Sequence, residues 1–291
     1  MTISITEITA RHPCFALGRP NNKGRIHLPV SPGCNIECLF CNRQFNTAEQ
    51  RPGVAAQIIS PQQAAGVVRR AIAAAPEITV VGIAGPGDTL ATPYALETFR
   101  LIAGKFPQLI RCMSTNGLLL EDKAEELIDA GIGTLTVTVN DVLPETLAKL
   151  CGRITYRNRI YEGEEAAQIL IEKQLAGIRR VTQTGMIVKV NTVLVPEING
   201  GHIEKIAQRV KEAGASLYNI IPLIPQHKLS HCKVPSCGEI DLARSEAERH
   251  IPVFRHCQHC RADAVGIPGG RDYGGQIYQK RISAENTFSH G

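Results

Sequence analysis

The chain has 291 residues, 43% of them hydrophobic and 20% charged, with a formal net charge of +5 and ten cysteines. Its length suits one large α/β domain or two small ones around a buried core. Lys and Arg are scattered without a basic block, no apolar run reaches the roughly 18 residues of a membrane span, and residues 1–11 hold no apolar signal core. A nucleic-acid arm, a membrane anchor and a secretory leader are therefore not expected, and a cytoplasmic protein is. In that reducing compartment ten cysteines point to metal ligation before disulfides. The mild basicity leaves room for a pocket taking anionic ligands or for an acidic electron donor.

In chain order, residues 25–31 read as a strand, followed by a loop rich in Cys, Asn, Arg and Pro. Residues 61–75 have helical composition with Pro61 at the start. Then come a strand at 78–84, a helix at 94–106, a strand at 109–114, a helix at 123–130 and a strand at 134–140. A long helix at 164–184, a strand at 186–195, a helix at 203–213 and a strand at 217–224 complete the series. Six strands separated by helices predict parallel βαβ units, and the near-continuous apolar strands predict that both sheet faces are covered. The expectation is an α/β chain folded as a partial (β/α)6 TIM-like barrel, with a doubly wound sheet as the alternative. Residues 1–24 and 227–291 form cysteine-bearing extensions around a core at 25–226. From His231 the pattern turns irregular, and the last twenty residues are polar and expected to be poorly ordered.

The polar signals follow the strands, where barrels of this kind build their sites. The first is Cys34-Asn-Ile-Glu-Cys38-Leu-Phe-Cys41. Soft thiolates select iron–sulfur clusters or zinc, and a triad leaves one iron of a cubane open, whereas structural zinc wants four closed ligands. Gly85-Pro86-Gly87-Asp88 follows the second strand, Thr115-Asn116-Gly117 the third and Asn140-Asp141 the fourth, with Asn191 on the fifth. Cys257-x2-Cys260 fits half of a zinc site completed by Cys232 and Cys237. His27, alone on a strand, reads by itself as a hydrogen-bonded core residue.

The triad, with Phe40 before its third cysteine and its place after the first strand, resembles the radical S-adenosylmethionine (SAM) superfamily. That resemblance implies a [4Fe–4S] cluster on Cys34, Cys38 and Cys41, whose open iron binds the methionine end of SAM. An electron from it cleaves SAM to methionine and a 5′-deoxyadenosyl radical. Gly85 and Gly87 resemble the loop that receives the methionine amino group. The resemblance implies Asp88, Thr115, Asn116, Asn140 and Asn191 as accompanying SAM contacts.

Further segments narrow the resemblance. These are His12-Pro13-Cys14, Cys41-Asn42-Arg43, Glu49-Gln50-Arg51-Pro52-Gly53-Val54, Cys112 before Ser114-Thr115-Asn116-Gly117, Pro222-Leu223-Ile224-Pro225, and His256-Cys257-Gln258-His259-Cys260-Arg261-Ala262-Asp263. Together they resemble the NifB family of nitrogenase cofactor biosynthesis proteins. The resemblance implies fusion of two auxiliary [4Fe–4S] units, with SAM-derived carbide insertion, into an eight-iron precursor: one SAM transfers its methyl to a cluster sulfide, leaving S-adenosylhomocysteine, and a second supplies the radical. It implies Cys14, His27, Cys112, Cys257 and Cys260 as auxiliary ligands, and Cys112, Glu49 and Arg51 as catalytic residues. Implied partners are cluster-donor and cofactor-carrier proteins and a low-potential ferredoxin or flavodoxin, acting on a monomer. One departure stands out. The family usually has another cysteine between Cys-Asn-Arg and Glu-x-Arg-Pro, and here Thr47 stands nearest to it in a shortened segment. One auxiliary cluster would then be absent, labile or held otherwise, with Cys151, Cys232 or Cys237 as substitutes. A diverged paralogue with another substrate and a non-catalytic cluster scaffold are the alternatives.

Overall fold

The computed structural model describes residues 4–18 and 20–278. The chain opens with helix α1 (Ile5–Arg11), capped by the Ser4 hydroxyl, and strand β1 (Gly24–His27). Three short strands follow, β2 (Ile36–Cys38), β3 (Gln44–Phe45) and β4 (Val54–Ala55). The regular alternation then begins: α2 (Pro61–Ala74), β5 (Ile78–Ile83), α3 (Tyr94–Ala103), β6 (Ile110–Thr115), α4 (Ala124–Asp129), β7 (Thr134–Thr138) and α5 (Pro144–Leu147). A hairpin, β8 (Cys151–Tyr156) and β9 (Arg159–Glu162), leads into the long α6 (Gly163–Gln183). After β10 (Ile187–Leu194), α7 (Pro196–Asn199), α8 (Ile203–Glu212) and β11 (Leu217–Pro222) come α9 (Cys237–Glu248), β12 (Val265–Gly266) and α10 (Gly274–Ile277).

The main sheet runs β11-β10-β7-β6-β5-β1-β12. Its first six strands are parallel and β12 closes the edge antiparallel to β1. The parallel strands curl into a partial barrel, the expected α/β architecture. Helices cover the outer face, driven by buried stripes such as Ala64, Val67, Val68 and Ala71 on α2 and Leu170, Leu175 and Ile178 on α6. Ser60 and Gln63 form a capping box where Pro61 opens α2. No helix among the described residues is long and apolar enough to cross a membrane.

Three expectations need correction. The strand expected over 25–31 ends at His27. The region after His231 is not irregular throughout, because a Ser236–Glu239 capping box launches α9, with Cys237 as its first residue. The tail is ordered as far as Tyr278: Asp272 accepts from the backbone of Val265 and Gly274, and the Tyr278 hydroxyl donates to the His27 carbonyl. The rest of the expected disordered tail, 279–291, lies outside the described residues.

The hairpin was not foreseen. It pairs with β2 in a separate three-stranded sheet, which sets Cys151 opposite Cys38. Its turn residues Arg157 and Asn158 have φ of 50° and 62°. That is the two-residue turn geometry usually announced by Asn-Gly, a signal this sequence lacks.

Candidate metal and cofactor cavity

The inward faces of the strands enclose a cavity of about 340 Å³, within the size range of small-molecule sites. Its wall shows the period of two that a pleat imposes. Arg25 and His27 come from β1, Val80 and Gly82 from β5, Cys112 and Ser114 from β6, Thr136 and Thr138 from β7, and Lys189, Asn191 and Val193 from β10. This inward face is polar and cysteine-bearing, whereas the outward face packs on helices.

At one end sit Cys34, Cys38 and Cys41. Their loop is strapped to the loop after β5: Gly87 N donates to Ser31 O at 2.7 Å and Asp88 N to Gly33 O at 2.8 Å. A Cβ on Gly87 would lie 2.0 Å from the Gly33 carbonyl oxygen, so only glycine allows this approach. Gly85 holds a φ of +118° beside it. The Asp88 carboxylate, 5% exposed, accepts from Thr115 Oγ1 at 2.9 Å, Asn116 N at 2.6 Å and Leu90 N at 2.9 Å. Burial raises its pKa above the usual Asp range. Asn116 Nδ2 in turn donates to Asn35 Oδ1 at 2.6 Å and lies 3.9 Å from the Cys34 sulfur. Asp88, Thr115 and Asn116 thus spend polar atoms on one another, on the cysteine loop and on the backbone amides of Leu90, Gly117 and Leu118.

Cys14, His27, Cys112, Cys257 and Cys260 line the other part of the same cavity. His27, Gly82 and Cys112 are register partners across β1, β5 and β6. Gly82 has no side chain, so a gap opens between the imidazole and the thiol; a Cβ there would press on the His27 ring at 3.1 Å. His27 Nδ1 lies 3.0 Å from the Arg261 carbonyl, which can only accept. Nδ1 therefore carries the proton and Nε2 keeps its lone pair, the tautomer a metal ligand needs. Burial pushes the His27 pKa down to about 3. Arg25 Nη2 lies 2.9 Å from the Cys260 sulfur, and Lys189 Nζ donates to Cys14 O at 2.9 Å. These two buried cations face a wall of thiols.

Burial pushes the thiol of Cys14 up to about 12 and that of Cys41 to about 11, and raises Cys34, Cys38 and Cys112 in the same direction. Burial here favours the neutral thiol, and a bound cation favours the thiolate. Among the described residues no three His, Cys, Asp or Glu side chains close round a single ion. The donor set, three thiols on one loop and five soft or imidazole donors beyond it, fits iron–sulfur cubanes.

Asn140 and Asn191 also line the cavity. Asn140 Oδ1 accepts from Val193 N at 3.0 Å, and Asn191 Oδ1 from Asn219 Nδ2 at 3.1 Å. Glu49 and Arg51 do not line it. They pair at 2.6 Å, and Arg51 Nη1 holds Asn42 O at 2.6 Å, just after Cys41. Thr47 is exposed and off the wall. Its turn is clamped by Arg261, which donates to Asn46 O at 2.7 Å and Glu49 O at 2.5 Å and pairs with Asp263 at 2.8 Å. Cys232 and Cys237 are off the wall too, so they do not join Cys257 and Cys260 in a four-thiol zinc site. Cys151 is on the wall, at the triad's end.

Sequence reasoning passed over Arg25, Lys189, Gln174 and the His12 ring. Cys14 N donates to His12 Nδ1 at 3.1 Å, leaving a buried Nε2 without a partner on the cavity wall. Arg25, Lys189 and Gln174 carry no motif, and their strand or helix phase was the only available signal.

The family model of the radical SAM superfamily matches residues 28–210. The FeMo cofactor biosynthesis protein NifB of Methanocaldococcus jannaschii is 43% identical over 283 residues, covering 97% of this chain and 94% of its own. The same protein of Methanocaldococcus infernus is 43% identical, covering 94% and 91%. That of Klebsiella pneumoniae is longer, 39% identical over 92% of this chain and 59% of its own. Among solved structures, a radical SAM methyltransferase from Sphaerobacter thermophilus superposes with a TM-score of 0.61 at 18% identity, over 85% of this chain and 72% of that one. Methylornithine synthase gives a TM-score of 0.50 at 13% identity, over 80% and 65%. Both structural likenesses speak to the fold.

Proposed function

For this chain, which belongs to the radical SAM superfamily and within it to the NifB family, we propose cluster fusion with carbide insertion: two [4Fe–4S] substrate units are joined around a SAM-derived carbon into an eight-iron product. The observation that carries the reading is that Cys34, Cys38 and Cys41 share one cavity with Cys14, His27, Cys112, Cys257 and Cys260. A radical made at one end would have its target within the same enclosure.

The resident cluster on Cys34, Cys38 and Cys41, once bound with SAM, supplies the electron that cleaves SAM. The remaining work falls to the chain. Gly87 and Asp88 hold the triad loop against the loop after β5. The backbone of the 85–87 loop receives the methionine ammonium, and Asn140 and Asn191 contact the cofactor. Glu49 and Arg51 act as positioning residues that fix the backbone after Cys41. Cys112, facing His27 across Gly82, holds substrate and takes part in the transfer. Arg25 and Lys189 offset the negative charge of thiolate-held clusters. Cluster-donor and cofactor-carrier proteins deliver and remove the cargo, a low-potential ferredoxin or flavodoxin supplies electrons, and the reaction takes place in the cytoplasm.

Thr47 supports a second reading. The five auxiliary donors implied by the resemblance line the cavity, and neither Thr47 nor Cys232 nor Cys237 joins them. One substrate unit would then be held less firmly, as in a paralogue that keeps a single auxiliary cluster. The test is anaerobic incubation of reconstituted protein with dithionite and SAM. The main reading expects 5′-deoxyadenosine together with S-adenosylhomocysteine, and about twelve irons per chain. About eight irons with no S-adenosylhomocysteine favours the paralogue. No 5′-deoxyadenosine at all leaves only a scaffold.

A further inference from the structure

Gln174 lies on the buried face of α6 with 2% of its surface exposed, and it reaches the cavity wall between the ends of β6 and β7. Its Nε2 donates to Asn116 O at 2.7 Å and to Thr138 O at 2.8 Å. Both partners are backbone carbonyls, which can only accept. The amide therefore cannot be turned round: NH2 must face them and Oε1 must face away. That Oε1 is buried and has no hydrogen-bond partner in the protein. Buried acceptors of this kind are costly unless something donates to them.

The missing donor is not an iron–sulfur cluster, since sulfide and thiolate sulfurs only accept. A water can supply that bond, and so can an organic ligand with O–H or N–H groups. SAM carries three kinds: the methionine ammonium, the ribose hydroxyls and the adenine amino group. The 85–87 loop that receives the ammonium follows β5, whereas Gln174 stands one strand further on, beside Thr138 and Asn140.

We propose that Gln174 Oε1 accepts a hydrogen bond from the nucleoside half of SAM. This rests on the cofactor reading given above. One amide then does two things: it ties the ends of β6 and β7 together, and it presents an acceptor to the nucleoside. No other side chain of this length offers both NH2 and a carbonyl.

The test is anaerobic calorimetric titration of the cluster-loaded protein with SAM and with its 2′-deoxy, 3′-deoxy and 6-deamino analogues. In the wild type, the analogue lacking the relevant donor should bind about tenfold more weakly than SAM. In Gln174→Met, SAM and that analogue should bind alike, and the analogue so equalised identifies the donor. A variant that merely loosens the Asn116 loop weakens all four ligands together and keeps the wild-type ratio; that result overturns the proposal. Equal binding of SAM and all three analogues by the wild type overturns it without any variant. Wild-type protein that binds none of them overturns this proposal and the cofactor reading together.

Discussion

Removing the Asp88 carboxylate should destabilise the protein by about 3 kcal/mol and loosen the triad loop. Asp88 accepts from Thr115 Oγ1, Asn116 N and Leu90 N, all buried. In Asp88→Ala each of these donors loses its partner, and a buried orphan costs about 1–3 kcal/mol. Asp88 lines the cavity, so water entering the vacated space recovers part of that loss. Relief of carboxylate burial offsets another part, because desolvation is the main cause of the raised Asp88 pKa. Asp88→Asn should cost less, keeping one acceptor but placing an NH2 against a backbone N–H. The assay is urea unfolding of the cluster-free protein, comparing midpoints at matched m-values. The pH dependence has a definite sign. An unfolded Asp ionises near about 4, and the folded group does so higher. Between those values the native state binds the extra proton, so this group's contribution to stability falls as pH rises through the window. Asp88→Asn should lack that component. If Asp88→Ala lies within about 0.5 kcal/mol of wild type, the carboxylate is not the brace described here.

Gly87→Ala should cost about 2–3 kcal/mol and lower iron loading, because its Cβ would meet the Gly33 carbonyl at 2.0 Å; unfolding and iron analysis check both. Thr47→Cys should leave iron per chain unchanged, since Thr47 is exposed and off the cavity wall. Added iron would show that its turn reaches inward when clusters are loaded. The double variant Cys232→Ser with Cys237→Ser should retain full iron content and bind no less metal than wild type, as neither thiol lines the cavity. Stoichiometric zinc lost in that variant would restore the four-thiol zinc alternative.

Much of the architecture is legible along the chain. Six apolar runs alternating with amphipathic helices specify parallel βαβ units, because such strands bury both faces and need crossover connections. The Cys34, Cys38 and Cys41 spacing specifies soft-metal ligation, since it depends on side-chain chemistry and short-range geometry alone. The β8–β9 hairpin was not legible, its turn being Arg157-Asn158 with both φ positive and no glycine. The α9 capping box, Ser236 and Glu239, was present in the sequence and passed over. Other features exist only once the sheet has curled. Register alone sets His27 and Cys112 on either side of Gly82, and a one-residue slip of any one of these strands would turn its residue outward. Asp88 lines the cavity, and only the fold shows that its oxygens also accept from Thr115, Asn116 and Leu90. Gln174 is an unremarked polar residue in a helix until two strand ends fix its amide and leave one buried oxygen without a partner in the protein. Local spacing states which atoms can bind a metal. Which of them face the same space depends on hydrogen bonds between residues distant in the chain, which only the closed barrel brings together.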